Sequence, residues 1–219
     1  PDGKALQMGT SHFLGQNFSV PFEVKFTDKD NVEQFAWQTS WGVSWRLIGA
    51  MIMVHGDDKG LVLPPKVAPI QVVIVPIYKS DEAKEIVLPK LNEIQEQLES
   101  KKIRVHVDDR SELTPGYKFN DWELKGIPLR IEIGPKDIEK QQVILAKRYN
   151  REKISVGFSE IEKIITILDE IQKDMLKIAR VKASENTVNI SDYTEFKSKI
   201  GKGGFFNAYW CGKIECEEK

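Results

Sequence analysis

Apolar and polar positions alternate with three different rhythms along the chain. In the first stretch, Phe22-Glu23-Val24-Lys25-Phe26 has the period of a half-buried strand, and the polar run 28–31 reads as a turn. Another strand is expected over 34–38. Residues 45–54, rich in Leu, Ile, Met and Ala, predict a buried helix that stops before His55-Gly56-Asp57-Asp58. Gly60-Leu61-Val62-Leu63 predicts a short strand ended by Pro64-Pro65, which supply no backbone donors. Pro69 marks a boundary.

Beyond it, strand and helix periods alternate. The unbroken apolar run 72–77 is that of a central strand covered on both faces. Val87, Leu91, Ile94 and Leu98 recur at helical spacing, with Pro89 expected to shift the start of that helix or bend it. Strands are expected through Ile103-Val105-Val107, Leu129-Ile131-Ile133, 143–148 and 153–156. Ser159 and Glu162 form the pattern of a capping box, opening a helix whose stripe is Ile161, Ile164, Leu168, Ile171, Met175 and Ile178. A short helix around Phe196, a glycine hinge at 201–204 and an aromatic strand over 205–210 follow. The whole predicts an α/β (α+β) chain in three parts, 1–69, 70–185 and 186–219, the middle one a complete α/β domain.

Composition narrows the functions open to such a fold. The 219 residues are 41% hydrophobic, too apolar for a disordered chain. Lys plus Arg total 32 against 33 Asp plus Glu, which excludes nucleic-acid binding through bulk charge but not through a local patch. No apolar run approaches the ~18–20 residues of a membrane-spanning helix, so no membrane association is expected. Two cysteines, Cys211 and Cys216, fit half of a metal site better than a disulfide scaffold. Pro1-Asp2-Gly3-Lys4 has neither a signal-peptide pattern nor an initiating Met, which suggests a reducing compartment and a fragment of a longer chain.

Two clusters carry candidate chemistry. In Gly42-Val43-Ser44-Trp45-Arg46 a glycine, a hydroxyl and an arginine open a helix, where backbone N–H groups and a guanidinium can hold phosphate. The plainer alternative is an arginine paired with a surface carboxylate. Gly9-Thr10-Ser11-His12 puts two hydroxyls and an imidazole together, able to line a small-molecule pocket or to satisfy the backbone of a loop. A Ser/His hydrolase would need an orienting acid and a sharp turn at the serine, and neither is present. His55-Gly56-Asp57-Asp58 reads as a helix stop rather than a metal site.

In this order the motifs resemble one family. The run 9–19, Trp41-Gly42-Val43-Ser44-Trp45-Arg46 and the run 55–65 look like the later part of the catalytic domain of prolyl-tRNA synthetase, of the archaeal and eukaryotic cytoplasmic type. Pro115-Gly116-Tyr117-Lys118-Phe119, Trp122-Glu123-Leu124-Lys125-Gly126, Pro128-Leu129-Arg130 and Gly134-Pro135-Lys136-Asp137 resemble its anticodon-binding domain. Trp210-Cys211 with Cys216 resembles the start of its carboxy-terminal zinc-associated domain.

The resemblance implies a partial antiparallel sheet of a class II catalytic domain in 1–69, a five-stranded mixed-sheet anticodon domain in 70–185 and a truncated tail. It implies that Arg46, the motif 3 arginine, is catalytic and contacts ATP phosphates together with Gln7 and Ser44. Thr10, His12, Trp41 and Gly42 then line a proline pocket, while Trp45 and Met8 are bulkier than the residues many relatives carry there. Lys118, Glu123, Lys125 and Arg130 become candidates for tRNA anticodon contacts, with Trp122 divided between base stacking and the core. Cys211 and Cys216 supply half of a zinc site. The implied activity joins L-proline to tRNA(Pro) through prolyl-adenylate, with ATP and Mg2+, structural Zn2+, a cytoplasmic location and a homodimer for the full-length enzyme. No counterpart of motifs 1 and 2 precedes residue 1, so this stretch alone is expected to be inactive or nearly so. The alternative is a non-catalytic synthetase-like module that holds tRNA or a partner.

Overall fold

The structure is a computed structural model that describes residues 5–213 and residue 215. The chain forms two compact units, one ending at Met51 and the other starting at Ile52.

The smaller unit is built on β1 (Gly9–Gly15), β2 (Lys25–Thr27), β3 (Glu33–Phe35) and β4 (Gln38–Val43), followed by α1 (Arg46–His55). β1 pairs antiparallel with β4, and β2 with β3. The polar turn falls where the pattern predicts it: the Asp28 carboxylate accepts from the backbone N–H groups of Asp30 (2.9 Å) and Val32 (3.0 Å). The strands themselves are displaced. The one expected at 22–26 starts at Lys25, and the one expected at 34–38 divides into the end of β3 and the start of β4. Gly9-Thr10-Ser11-His12 is a strand rather than a loop, because β4 supplies the backbone partners that its polar side chains do not advertise.

The larger unit opens on β5 (Val72–Pro76), α2 (Asp81–Ser100), β6 (Val105–Val107), α3 (Pro115–Leu124), β7 (Leu129–Ile133), α4 (Pro135–Glu139), β8 (Gln142–Lys147) and β9 (Lys153–Gly157). It continues through α5 (Lys163–Glu185), β10 (Thr187–Asn189), α6 (Tyr193–Ile200) and β11 (Phe205–Asn207). A five-stranded sheet runs in the order β6-β5-β7-β8-β9, parallel across β6, β5 and β7 and antiparallel from β7 to β9. It is the mixed sheet expected for an anticodon domain. Val72, Ile74, Leu129, Ile131 and Leu145 join Leu91, Ile94, Ile164 and Ile171 in one core, all at most 1% exposed. On the other face Val73 and Val75 meet Trp122 and Ile127. β5 is buried along its whole length, as its unbroken apolar run requires.

Several local expectations need correction. The stretch 60–65 forms no strand among the described elements. Asp57 and Gly60 make an isolated bridge, and Leu61 and Leu63 donate to the carbonyls of Leu124 (2.9 Å) and Gly126 (3.1 Å). Gly60 (φ +127°) and Gly126 (φ +73°) permit this approach, since a Cβ on either would come within 2.5 Å of the opposing backbone. These bonds tie the segment before Pro69 to the larger unit, so the division between units falls within α1 rather than at Pro69. α2 continues through Pro89, eight residues from its start and with Val87, Leu91, Ile94 and Leu98 buried beneath it. The capping box at Ser159 does not form. Ser159 sits in a single 3-10 turn, α5 starts at Lys163, and Glu162 pairs instead with Lys101 at 2.8 Å. The buried stripe of α5 ends at Met175, and Ile178 is exposed. The aromatic strand is confined to β11, leaving Tyr209 and Trp210 exposed. Among the described elements, the periodicity missed the short α4 and the longer α3. The signals of α3 are local: Thr114 accepts from the Tyr117 N–H at 3.3 Å, and Pro115 occupies the first turn.

Candidate functional site

The antiparallel ribbon of β1 and β4 fixes the first candidate site. Thr10 pairs with Gly42 and His12 with Ser40, so these four positions share one face of the ribbon. Gly42 leaves that face open, because a Cβ there would meet nothing within 4 Å. β4 ends at Val43 and α1 begins at Arg46, which brings a helix N-terminus to the end of the ribbon. The Arg46 N–H is 3.4 Å from the Ser44 hydroxyl, its acceptor.

A polar chain runs across this end of the ribbon. Arg46 Nη1 donates to the Gln7 carbonyl (3.3 Å) and lies 3.4 Å from Gln7 Oε1. Gln7 Nε2 donates to Thr10 Oγ1 at 2.9 Å. Ser44 Oγ lies 3.5 Å from the Met8 carbonyl. A guanidinium is thus oriented by neutral oxygens, and among the described residues no carboxylate pairs with it, unlike the plainer reading of a surface ion pair. Gln7, Ser44 and Arg46, expected at the nucleotide, and Thr10, His12, Trp41 and Gly42, expected at proline, all line one open cleft of about 370 Å³. Such a cleft offers one permanent positive charge, a helix N-terminus and hydroxyl and imidazole groups. It can hold phosphate beside a small polar molecule.

The second candidate site lies on the larger unit, where the carboxyl end of α3 meets β7, β8 and β9. Its cleft of about 220 Å³ is lined by Trp122, Glu123, Arg130, Lys147, Arg151 and Lys153, among others. The four residues expected at RNA separate here. Lys125 is half exposed, 4.4 Å from the Trp122 ring centroid and 3.0 Å from Asp121. Arg130 lies over the Phe119 ring at 4.2 Å and is bonded to Glu132. Glu123 lines the cleft, with Arg151 Nε 3.8 Å away. Lys118 does not reach solvent: it is 4% exposed and its ammonium donates to the Asp108 carbonyl at 3.0 Å. Burial turns this cation inward as a support for α3. Trp122 is buried too, which answers for the core rather than for base stacking.

Asp108 is the hub of that support. Its carboxylate accepts from Trp122 Nε1 (2.7 Å) and from Arg110 Nε and Nη2 (2.8 and 2.6 Å). Burial opposes its charge, but the hydrogen bonds from Arg110 and Trp122 outweigh it and hold the carboxyl well below the usual carboxylate range. Arg148, 3% exposed, is gripped by both oxygens of Asp57 (2.8 and 2.6 Å) and by the Glu123 carbonyl (2.9 Å). Its guanidinium holds the Asp57 carboxyl well below its ordinary value. Sequence reasoning missed Lys147, Arg151 and Lys153. The available signal was the density of Lys and Arg in the hairpin between β8 and β9, where Lys147 and Arg148 precede Arg151 and Lys153.

Metal binding has less to stand on. Cys211 is exposed, Cys216 lies outside the described residues, and no group of three or more His, Cys, Asp or Glu among the described residues could hold a metal ion. No helix among them is long and apolar enough to cross a membrane.

A family model described as "Anticodon binding domain" matches residues 71–168. Over 100% of its length the chain is 56% identical to a proline–tRNA ligase of Cenarchaeum symbiosum and 50% identical to one of Natranaerobius thermophilus. It covers 46% and 45% of those two proteins, so it spans about half the length of the curated relatives it matches. The solved prolyl-tRNA synthetase of Cryptosporidium parvum, in complex with L-proline and AMP, superposes with a TM-score of 0.89. That match is 45% identical and covers 99% of this chain and 46% of the other. The same enzyme has been solved with halofuginone and AMPPNP, with the same TM-score.

Proposed function

From a chain related in sequence and fold along its whole length to prolyl-tRNA synthetases, we propose two working parts of one proline–tRNA ligase. Along the sequence, residues 1–69 contribute the motif 3 side of the catalytic centre, although 52–69 pack with the larger unit, 70–185 read the anticodon of tRNA(Pro), and 186–219 begin a zinc-associated domain. The single observation that supports this reading most is the cleft on the β1–β4 ribbon, where the nucleotide and proline residues expected from the resemblance converge.

The chemistry suits those side chains. The carboxylate of L-proline is already ionised, so no general base is needed. One of its oxygens attacks the α-phosphorus of ATP, the bond to the β,γ-phosphates breaks, and pyrophosphate leaves. Catalysis is then a matter of positioning and of neutralising phosphate charge. Arg46 clamps phosphate oxygens in the ATP site, Gln7 and Ser44 orient the nucleotide, and Thr10 and His12 face the imino acid beside the open position at Gly42, with Trp41 at the border of the same cleft. A ribose hydroxyl of the tRNA terminal adenosine next attacks the mixed anhydride, and AMP leaves. Mg2+ enters with the phosphates of ATP. Cys211 contributes one thiolate to the zinc site proposed with Cys216. The same reading brings a homodimer and a cytoplasmic location for the full-length enzyme.

At the second site Lys125 and Arg130 meet phosphates or base edges and Glu123 accepts from a base amino group, with Arg151 and Lys153 added from the facing hairpin. Lys118 acts from beneath, through Asp108.

A chimaera joining this chain to the remaining part of the Cenarchaeum symbiosum relative tests the reading. It is expected to catalyse ATP–pyrophosphate exchange that depends on proline. Exchange absent while the chain still binds tRNA would favour the non-catalytic module instead.

A further inference from the structure

Two cations that line the basic cleft, Arg130 and Lys153, share one acid that is not itself among the lining residues. Glu132 stands on β7 two residues after Arg130, so both side chains leave the same face of the sheet. Its side chain is 9% exposed. One oxygen accepts from Arg130 Nε (3.1 Å) and Nη2 (2.8 Å), and the other accepts from Lys153 Nζ at 2.9 Å. Arg130 and Ala146 are register partners, as are Ala146 and Lys153, so the two cations flank the smallest side chain of that row. Phe119 covers them, 4.2 Å from the guanidinium carbon and 5.7 Å from the ammonium. Arg148, in contrast, already has its donors taken by Asp57 and Glu123. Arg130 keeps Nη1 without a hydrogen bond among the described residues, and Lys153 is 53% exposed.

We propose that Glu132 is a positioning residue for RNA recognition: one buried carboxylate, with an oxygen on each cation, sets the directions from which Arg130 and Lys153 address unpaired bases. The proposal rests on the anticodon-binding reading above. It has an unusual consequence. An acid bonded to the cations of a basic cleft weakens general attraction for RNA, so removing its charge raises indiscriminate binding while loosening the geometry that tells one loop from another.

The test titrates the 219-residue chain with the anticodon stem–loop of tRNA(Pro) and with the same stem–loop carrying a substituted anticodon, followed by fluorescence anisotropy. Wild type is expected to prefer the cognate loop. Glu132→Gln should bind the substituted loop as well as wild type or better, while the preference falls about tenfold. Glu132→Asp keeps the charge but is one methylene shorter and reaches only one of the two cations. It should fold like wild type by circular dichroism and still lose about threefold or more of the preference, so it decides the matter if the Gln variant does not fold. Preference unchanged in the folded variants, with only a lower melting temperature, would overturn the proposal and leave Glu132 as a neutraliser of buried charge. A wild-type chain that does not distinguish the two loops refutes the RNA reading itself, and the proposal with it.

Discussion

Arg46 and Arg130 are both arginines held by hydrogen bonds beside a cleft, yet what lies beneath them differs. Among residues 5–51 only Gly15, Ser19 and Ala50 are buried, and Arg46 is oriented by the neutral oxygens of Gln7. Arg130 rises from a strand whose Leu129, Ile131 and Ile133 are fully buried, and a carboxylate fixes it. Around the larger unit's cleft the charges are spent on one another: Asp57 with Arg148, Asp108 with Arg110, Glu132 with Arg130 and Lys153. The contrast implies that site residues in the smaller unit can change without cost to the fold. In the larger unit the site and the fold share the same charges.

Core truncation in the larger unit should show the largest effect. Ile131→Ala is expected to lower the stability of that unit by ~2–5 kcal/mol in urea denaturation. A loss below ~1 kcal/mol would mean that the sheet is not the main support of its cleft.

Breaking an ion pair of the second cleft comes next. Arg148→Ala removes the bidentate partner of Asp57, which keeps only Arg151 and the Lys59 N–H, and takes one donor from the Glu123 carbonyl, which should cost about 2–3 kcal/mol, discounted because Asp57 is partly exposed. The same change at the other site, Arg46→Ala, should move stability by no more than ~0.5 kcal/mol. Equal losses in the two variants would erase the contrast.

The acid limb of stability sharpens it further. Asp108 and Asp57 stay ionised in the folded protein at pH values where unfolded carboxylates, near ~3.9, take up protons. The stability they confer is therefore complete above about pH 4 and is lost as the pH falls through their lower folded values. Asp108→Asn should flatten that acid limb in thermal melts between about pH 2 and 5, at the cost of lower stability near neutrality. An acid limb unchanged in this variant would contradict the assignment.

The smallest expected effect on stability is at Gly42. A side chain there enters open space, and a β-branched residue suits a strand, so Gly42→Val should leave the melting temperature unchanged or slightly raised. It should nonetheless block the position opposite Thr10 and abolish proline-dependent exchange in the chimaera. Normal exchange would remove Gly42 from the proposed pocket.

How much of this was legible differs between the units. In the larger one, the apolar run 72–77 and the stripe of α2 announced themselves, because deep burial imposes strict periods on sequence. In the smaller one, β1 was hidden by its own chemistry: Thr10, Ser11 and His12 suggested a pocket lining or a polar loop, and only pairing with β4 makes them a strand. Motif resemblance, not periodicity, marked the residues that gather around Arg46. Neither source marked Lys118 as buried or Glu132 as a bridge, since both depend on what distant segments bring to them. Asp108 buries the one cation, and Lys153 completes the other contact.

Two substitutions in the chimaera, each read in two assays, test the division of labour most directly. Arg46→Ala should cut proline-dependent ATP–pyrophosphate exchange by about 10²–10³-fold while binding of the tRNA(Pro) anticodon stem–loop stays at the wild-type level. Arg130→Ala should do the reverse, weakening and blurring stem–loop binding with exchange intact. If both variants lose both functions to the same degree, the account of two separately built sites on this chain is wrong.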